Sequence, residues 1–303
     1  MKWSIQDAEA VDFVLGLAKP EKMASSAHTN FFQAKWNKFW STCGYVGSKL
    51  RNQKIQLDPH LKPAVLELLG SLKPMKAIGV EKVRVGEARD GGYVMLDDFG
   101  GISGAYSIGI GPDVSWDYAI AERGIEVFQF DHTVQDTPTF HRLFHFEPVC
   151  LGSEAAENPR TKTLAALVGE RSQPEQDLLL KVDIEDAEWD VFSTMDPELL
   201  SRFRQIVCEF HSFHRVAEPA WKECAARVFD HLTRYHQVIH LHRNGIVPLI
   251  VSDDLEFPAV MEVTFARKSS YQFCETEETF PSELDKCSSR FFTDGPLTFL
   301  QQL

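Results

Sequence analysis

The stretch that most constrains the fold is Leu178–Glu188, which reads LLLKVDIEDAE. Its apolar first half is typical of a buried parallel strand, because strands covered on both faces are nearly continuous in hydrophobic residues. Four carboxylates follow directly, at Asp183, Glu185, Asp186 and Glu188. The pattern predicts acidic groups at the carboxyl end of a sheet strand, which is the edge where open α/β sheets bind ligands.

The same carboxylates also have a simpler explanation as helix caps. Asp186 could be the N-cap of the next helix, and Glu188 an acid in its first turn. Asp183 and Glu185 precede that helix and, being two residues apart, point to the same side of the strand. Capping does not account for these two, so the sequence favours a binding or catalytic role for them.

The composition is that of a globular protein with an acidic surface. The 303 residues carry a net charge of −13, which argues against non-specific binding to nucleic acid or to an anionic membrane. No uncharged run is long enough for a transmembrane helix, and the first residues do not resemble a signal peptide. The six cysteines lack C-x-x-C spacing. This favours reduced thiols in a cytoplasmic protein, with a Cys274–Cys287 disulfide as the alternative in a secreted one.

From residue 105 onward, strand and helix patterns alternate. Seven strands are predicted, and a helix-length segment separates each from the next, except between the last two. The predicted strands are Ala105–Gly109, Ile125–Asp131, Leu143–Leu151, Leu178–Asp183, Gln205–Phe210, Gln237–His242 and Val260–Ala266. This alternation predicts a Rossmann-like, mostly parallel seven-stranded α/β sheet with one antiparallel strand near an edge. A β-hairpin is predicted at Lys82–Asp98, leading into the same sheet.

The N-terminal region has a different pattern. Apolar residues at helical spacing occur near the start, an aromatic stripe runs from Phe31 to Trp40, and a short helix is predicted at Ala64–Leu72. We expect residues 1–75 to form a helical extension that serves as a cap, a lid or a dimerisation element. Residues 76–303 would then form the functional domain, and a homo-oligomer is one expected arrangement.

The turn after the first predicted sheet strand has the pattern of a cofactor loop. Its two glycines allow a ligand to approach the backbone closely, and the second strand ends in an acid placed to accept bonds from a ribose diol. The dinucleotide fingerprint G-x-G-x-x-G is incomplete here, which disfavours a nicotinamide cofactor. We expect an adenosine-type cofactor to contact Ser107, Gly109, Gly111, Asp131, His132 and Asp183.

A second group of polar residues comes from the fifth predicted strand. Glu209 and His211 share one face of it and would lie beside Asp183 and Glu185. Two chemistries fit this set. Asp183, Glu209 and His211 could bind a divalent cation such as Mg²⁺, Mn²⁺ or Ca²⁺, or His211, Glu185 and Asp183 could act directly as acid and base. The alternative is a set of hydrogen-bonded polar residues at the strand ends.

Taken in order, these motifs resemble the FkbM-type methyltransferases, a class I family that uses S-adenosylmethionine. The most specific segments are RDGGYV at Arg89–Val94, Phe130-Asp131, and KVDIEDAEW at Lys181–Trp189. The likeness spans roughly residues 80–268. It departs from the family at Asp186, where glycine is common, and in a first loop with fewer glycines.

The resemblance implies S-adenosylmethionine as the cofactor and O-methylation of a hydroxyl on a sugar or small natural product. Two other classes of function stay open at this point. One is a non-catalytic interaction protein with the methyltransferase fold, and the other is a nicotinamide-dependent oxidoreductase. Unpaired carboxylates at a buried strand end are unfavourable unless they are used, which argues against the first. The glycine pattern argues against the second.

Overall fold

A computed structural model describes residues 54–88, 91–154, 160–243, 247–287 and 294–303. At its centre is a seven-stranded sheet whose strands are β1 Ile102–Ile108, β2 Val127–Phe130, β3 Phe144–Glu147, β4 Asp177–Val182, β5 Phe203–Phe210, β6 His236–Arg243 and β7 Met261–Arg267. The spatial order is β6-β7-β5-β4-β1-β2-β3. Only β7 runs antiparallel to its neighbours. The predicted seven-stranded, mostly parallel sheet with one antiparallel strand is therefore confirmed.

One predicted strand is wrong as a single element. The segment Leu143–Leu151 divides at Pro148, because proline has no N–H to donate to a sheet ladder. Its first part is β3, and its second part, Cys150–Leu151, pairs with Thr161–Lys162 in a separate two-stranded sheet. The other main strands agree with the prediction to within three residues at each end.

The described residues form α-helices at α1 Lys62–Gly70, α2 Ser115–Ala121, α3 Leu164–Arg171, α4 Glu188–Thr194 and α5 Pro219–Tyr235. Short 3₁₀ helices lie at Pro59–Leu61, Pro197–Arg202, Phe213–Ala217 and Thr298–Gln302. The longest helix, α5, begins at a proline, which suits the first turn because an N–H there has no partner inside the helix. Its buried residues recur every three or four positions, at Trp221, Ala225, Val228, Phe229 and Leu232.

The sheet separates two hydrophobic layers. On β4, Leu178 and Leu180 belong to the larger cluster, which includes buried residues of α1, α3, α4 and α5. Leu179, between them, belongs to the other cluster with Trp116 of α2. Side chains alternate between the faces of a strand, so an unbroken apolar run is what a strand buried on both faces requires.

The predicted hairpin is confirmed as two paired strands, Lys82–Val85 and Tyr93–Leu96, and the chain leads from it into β1 of the main sheet. The hairpin forms its own two-stranded sheet and packs over one face of the main sheet. Side chains join the two layers. Gln205 of β5 accepts from Leu96 N–H at 2.7 Å and donates to the Leu96 carbonyl at 3.1 Å. Thr264 of β7 donates to the Val94 carbonyl at 2.7 Å.

Residues 54–75 pack on the rest of the protein. The strand Lys54–Gln56 pairs with Leu249–Ser252, which pairs in turn with Leu255–Pro258. Helix α1 contributes buried residues to the larger core, and Met75–Ala77 pairs with Phe273–Glu275. The predicted aromatic stripe lies outside the described residues, and the domain boundary at residue 75 stays a prediction.

Two further observations concern the class of protein. Within the described ranges, no helix combines the length and the apolar character needed to cross a bilayer. The cysteines of those ranges form no disulfide. The alternative of a Cys274–Cys287 bridge is therefore absent from this structure.

Candidate functional site

The candidate site lies where the carboxyl ends of β4 and β5 meet. One oxygen or nitrogen atom from each of Asp183, Glu209 and His211 lies within 4.8 Å of the other two. The register explains this convergence, because Val182 of β4 is paired with Cys208 of β5, so the residues that follow emerge side by side. The structure thus brings together the three residues that the sequence predicted as a cluster.

Glu188 and Trp189 fix the orientation of His211. Glu188 is fully buried, and one of its oxygens accepts from the backbone N–H of His211 at 2.7 Å and lies 3.0 Å from Nδ1. The indole of Trp189 donates to the His211 carbonyl at 2.9 Å. Nε2 lies on the other side of the ring, 3.5 Å from Glu185. A histidine held by a carboxylate at one nitrogen and free to face oxygen ligands at the other is typical of a metal ligand.

Electrostatics also shape the site. Burial alone lowers the pKa of His211, but the surrounding carboxylates, foremost Glu188, outweigh this and raise that pKa well above its usual value. Burial raises the pKa of Asp183, while the positive charges of Lys181 and His211 oppose the rise. The surrounding carboxylates therefore favour the protonated form of His211, in which the ring cannot accept a proton. This argues against His211 as the base of a metal-free site.

The backbone at the site is strained. Glu185, Asp186 and Ser212 have φ angles of 53°, 83° and 63°, a region that residues other than glycine rarely adopt. Such residues concentrate at functional sites because the surrounding structure must hold them in place. Asp186 is the position where glycine is common in the resembled family. Its carboxylate accepts from Arg215 at 3.2 Å.

The capping explanation is not supported by the geometry. The N-cap of α4 is Ala187, and no side chain caps that helix end. Asp186 bonds to Arg215 and Glu188 bonds to His211 instead. Glu188 does lie in the first turn of α4, but its carboxylate is directed towards the site.

The two glycines of the G-x-G loop have different surroundings. Gly109 has φ 75°, and a Cβ there would lie 1.7 Å from the carbonyl oxygen of Asp183. Its lack of a side chain is required for packing against the end of β4, and its contact with a cofactor stays a prediction. Gly111 has φ 52° and no atom within 4 Å of a Cβ position, so this glycine does leave room.

Asp131 lies beside Gly111 as predicted. One of its oxygens accepts from Gly111 N–H at 3.0 Å, and the other accepts from the backbone N–H and the hydroxyl of Thr133 at 2.7 and 2.6 Å. A carboxylate oxygen has two lone pairs, so the oxygen bonded to Gly111 can accept another hydroxyl. His132, next in sequence, is exposed. Asp131 and Gly111 therefore fit a ribose-bearing cofactor.

Ser107 is placed differently from the expectation. It has no exposed surface and lies within β1, on the same face as Lys181 and Gln129. This burial argues against direct contact between Ser107 and a cofactor in the described conformation.

Sequence reasoning missed a second polar group near the same edge. His242 of β6 is buried, with Nδ1 3.0 Å from Glu262 and Nε2 3.0 Å from Asp294. Glu262 lies opposite Glu209 in the sheet register. The two carboxylates are 20 and 52 residues from His242 in the chain, so no local motif could reveal them. His240, on the same strand, has a buried bond to Asp285 at 2.8 Å.

Comparison with known proteins identifies the central segment. Residues 109–240 match the family model described as the methyltransferase FkbM domain. The matched segment is a little under half of the chain, begins at Gly109 and includes Asp131, Asp183 and His211. No curated protein matches the chain. The resemblance seen in the sequence is confirmed for residues 109–240, which are similar to the methyltransferase FkbM domain.

Proposed function

We propose that this protein is an S-adenosylmethionine-dependent O-methyltransferase with a Rossmann-like fold, acting on a hydroxyl of a sugar or small natural product. The observation that carries the proposal is the convergence of Asp183, Glu209 and His211 in a segment that matches the FkbM domain. The loop of Gly109 joins this cluster to the cofactor region, because Gly109 packs directly on Asp183.

The cofactor, when bound, supplies a methyl group that is already activated for transfer. The chain's task is to hold it in place. Asp131 accepts bonds from the ribose hydroxyls, and Gly111 leaves space for the ligand beside this carboxylate. Exposed His132 lies at the rim of the same region. Asp183 links the two halves of the site, with its backbone against Gly109 and its carboxylate in the acidic cluster.

On the acceptor side, the chain must orient a hydroxyl and take up its proton. The carboxylates of Asp183 and Glu185 are placed to do this directly. A divalent cation held by Asp183, Glu209 and His211 would instead lower the pKa of a bound hydroxyl. The two carboxylates of this ligand set suit Mg²⁺, Mn²⁺ and Ca²⁺. The imidazole favours Mn²⁺ among the three, because it is a nitrogen ligand. The fixed orientation of His211 favours the form with a cation.

Calorimetric titration with S-adenosylhomocysteine and with NAD tests the cofactor. We expect binding of S-adenosylhomocysteine alone, weakened by about 1–3 kcal/mol in Asp131→Ala, the scale for losing hydrogen bonds to a charged group. Asp136→Ala is the matched control, because Asp136 is an exposed acid of the same loop. Unchanged affinity in Asp131→Ala would refute the ribose assignment. Binding of NAD would favour the oxidoreductase, and binding of neither ligand would favour an interaction protein.

Methyl transfer to a panel of hydroxyl compounds, measured with labelled S-adenosylmethionine, tests the reaction. We expect activity to fall after treatment with EDTA and to return when one of the three cations is added. Activity that survives chelation and follows one pKa, lost in His211→Ala, would exclude the cation. Full activity in both Asp183→Asn and His211→Ala would exclude the site itself.

A further inference from the structure

Lys181 is a buried charged residue that the proposed chemistry does not use. It lies in β4 and is 3% exposed, on the face of the sheet that the hairpin covers. Its ammonium donates to the carbonyl of Gly109 at 2.8 Å and lies 5.9 Å from the ring of Tyr93 in the hairpin. Burying an ammonium is unfavourable unless it is paired, so its position requires an explanation.

The bond to Gly109 fixes the start of the cofactor loop. Gly109 N–H donates to the Phe130 carbonyl of β2 at 2.9 Å, and its Cα faces the Asp183 carbonyl. The bond from Lys181 then determines the direction of the Gly109 carbonyl, and hence of the peptide that leads to Gly111. Gly111 in turn donates to Asp131. The orientation of the loop relative to the ribose-binding carboxylate therefore depends on Lys181.

A counter-charge lies in the same buried layer. Asp117, in the first turn of α2, has no exposed surface and accepts from Gln129 at 2.8 Å. Burial raises the pKa of Asp117, and the positive charge of Lys181 opposes only part of that rise. Ser107 lies beside Asp117 in this layer, and the amide oxygen of Gln129 is buried there with no hydrogen-bond partner. Replacing buried charged groups by a hydrophobic layer of equal volume is often neutral or stabilising, so stability alone does not explain why these groups are kept.

We propose that Lys181 is a positioning residue that holds the Gly109–Gly111 loop in the conformation that binds the cofactor, with Asp117 as its buried counter-charge. The part of this inference that concerns affinity rests on the proposed function. The part that concerns the loop does not.

The test compares Lys181→Met, Asp117→Asn and the double variant. Methionine has a similar length but cannot donate to Gly109, and it leaves Asp117 buried without its counter-charge. The double variant removes that charge as well, so we expect its thermal unfolding temperature to lie above that of Lys181→Met. If Lys181→Met does not fold, the double variant carries the test.

Two measurements on the double variant separate positioning from stability. Hydrogen exchange of the 109–111 amides in the ligand-free protein should be at least tenfold faster than in wild type, while exchange in β4 and β5 is unchanged. The dissociation constant for S-adenosylhomocysteine should rise at least tenfold. A double variant with wild-type loop protection would overturn the inference, as would wild-type affinity. If wild type itself does not bind S-adenosylhomocysteine, the proposed function fails, and hydrogen exchange alone decides the role of Lys181.

Discussion

Alanine at position 109 should destabilise the protein far more than alanine at another glycine with a positive φ. Gly109 and Gly124 have φ of 75° and 82°, but only the first faces a neighbour. Moving a non-glycine residue into this region costs about 1–2 kcal/mol, which both substitutions share. At position 109 the new Cβ would also lie 1.7 Å from the Asp183 carbonyl oxygen, roughly half of an ordinary contact of about 3.5 Å.

Relieving that overlap requires the loop or the end of β4 to move. Overpacking of this kind costs about 1–3 kcal/mol and occasionally more, so the total for Gly109→Ala is roughly 2–5 kcal/mol, against about 1–2 kcal/mol for Gly124→Ala. For a domain of this size, 1 kcal/mol corresponds to about 2–4 °C in Tm. Equilibrium unfolding in urea, followed by circular dichroism, measures the difference. Equal losses in the two variants would refute the steric argument.

Three further predictions concern separate parts of the fold. The Asp186→Ala variant should be less stable than the Asp186→Gly variant by about 1–2 kcal/mol in urea unfolding, because glycine adopts a φ of 83° freely and alanine does not. Equal stabilities of the two variants would mean that the backbone strain is absent. The two carboxylates beside His242 raise its pKa to about 11 despite burial, above the unfolded value of about 6.5. The contribution of protonated His242 to stability is therefore complete below about pH 6.5 and is lost as the pH rises towards 11. The free energy of unfolding should therefore fall less over this pH range in His242→Gln than in wild type. Identical pH profiles for the two proteins would contradict the assignment. Leu69→Ala in α1 should lower the free energy of unfolding by about 2–5 kcal/mol, whereas exposed Glu67→Ala should change it little; similar small effects would show that α1 is dispensable to the core.

The positions of the main strands were accessible from sequence because their evidence is local. The run Leu178–Val182 is apolar apart from Lys181, and helices of recognisable period follow β1, β3, β4 and β5. The same logic placed Asp183 beside Glu209 and His211, since parallel strands end at one edge. Sequence reasoning failed at Pro148, where the missing N–H divides a continuous apolar pattern.

The partners of the site residues were not accessible in the same way. Glu188 has the position of a capping acid in the sequence, and only the packing of α4 against the end of β5 reveals its bond to His211. Gly109 and Gly111 look equivalent in the sequence, but one is packed against Asp183 and the other is open. The number and spacing of residues predict which groups meet at an edge. Their hydrogen bonds depend on the relative placement of elements that are distant in the chain.

The side chain of Gln205 has a consequence for which substitutions this sheet can tolerate. It occupies a fully buried position on a central strand, where a leucine or valine would ordinarily be accepted. Its amide, however, serves both the N–H and the carbonyl of Leu96, as a neighbouring peptide would. Gln205→Leu would conserve volume but leave the buried N–H of Leu96 without its partner, at about 1–3 kcal/mol, while the Leu96 carbonyl keeps the bond from the Asp98 N–H at 2.8 Å. In a saturation scan, apolar substitutions at position 205 should therefore be destabilising, whereas apolar substitutions at the neighbouring Ile206 and Val207 should be tolerated.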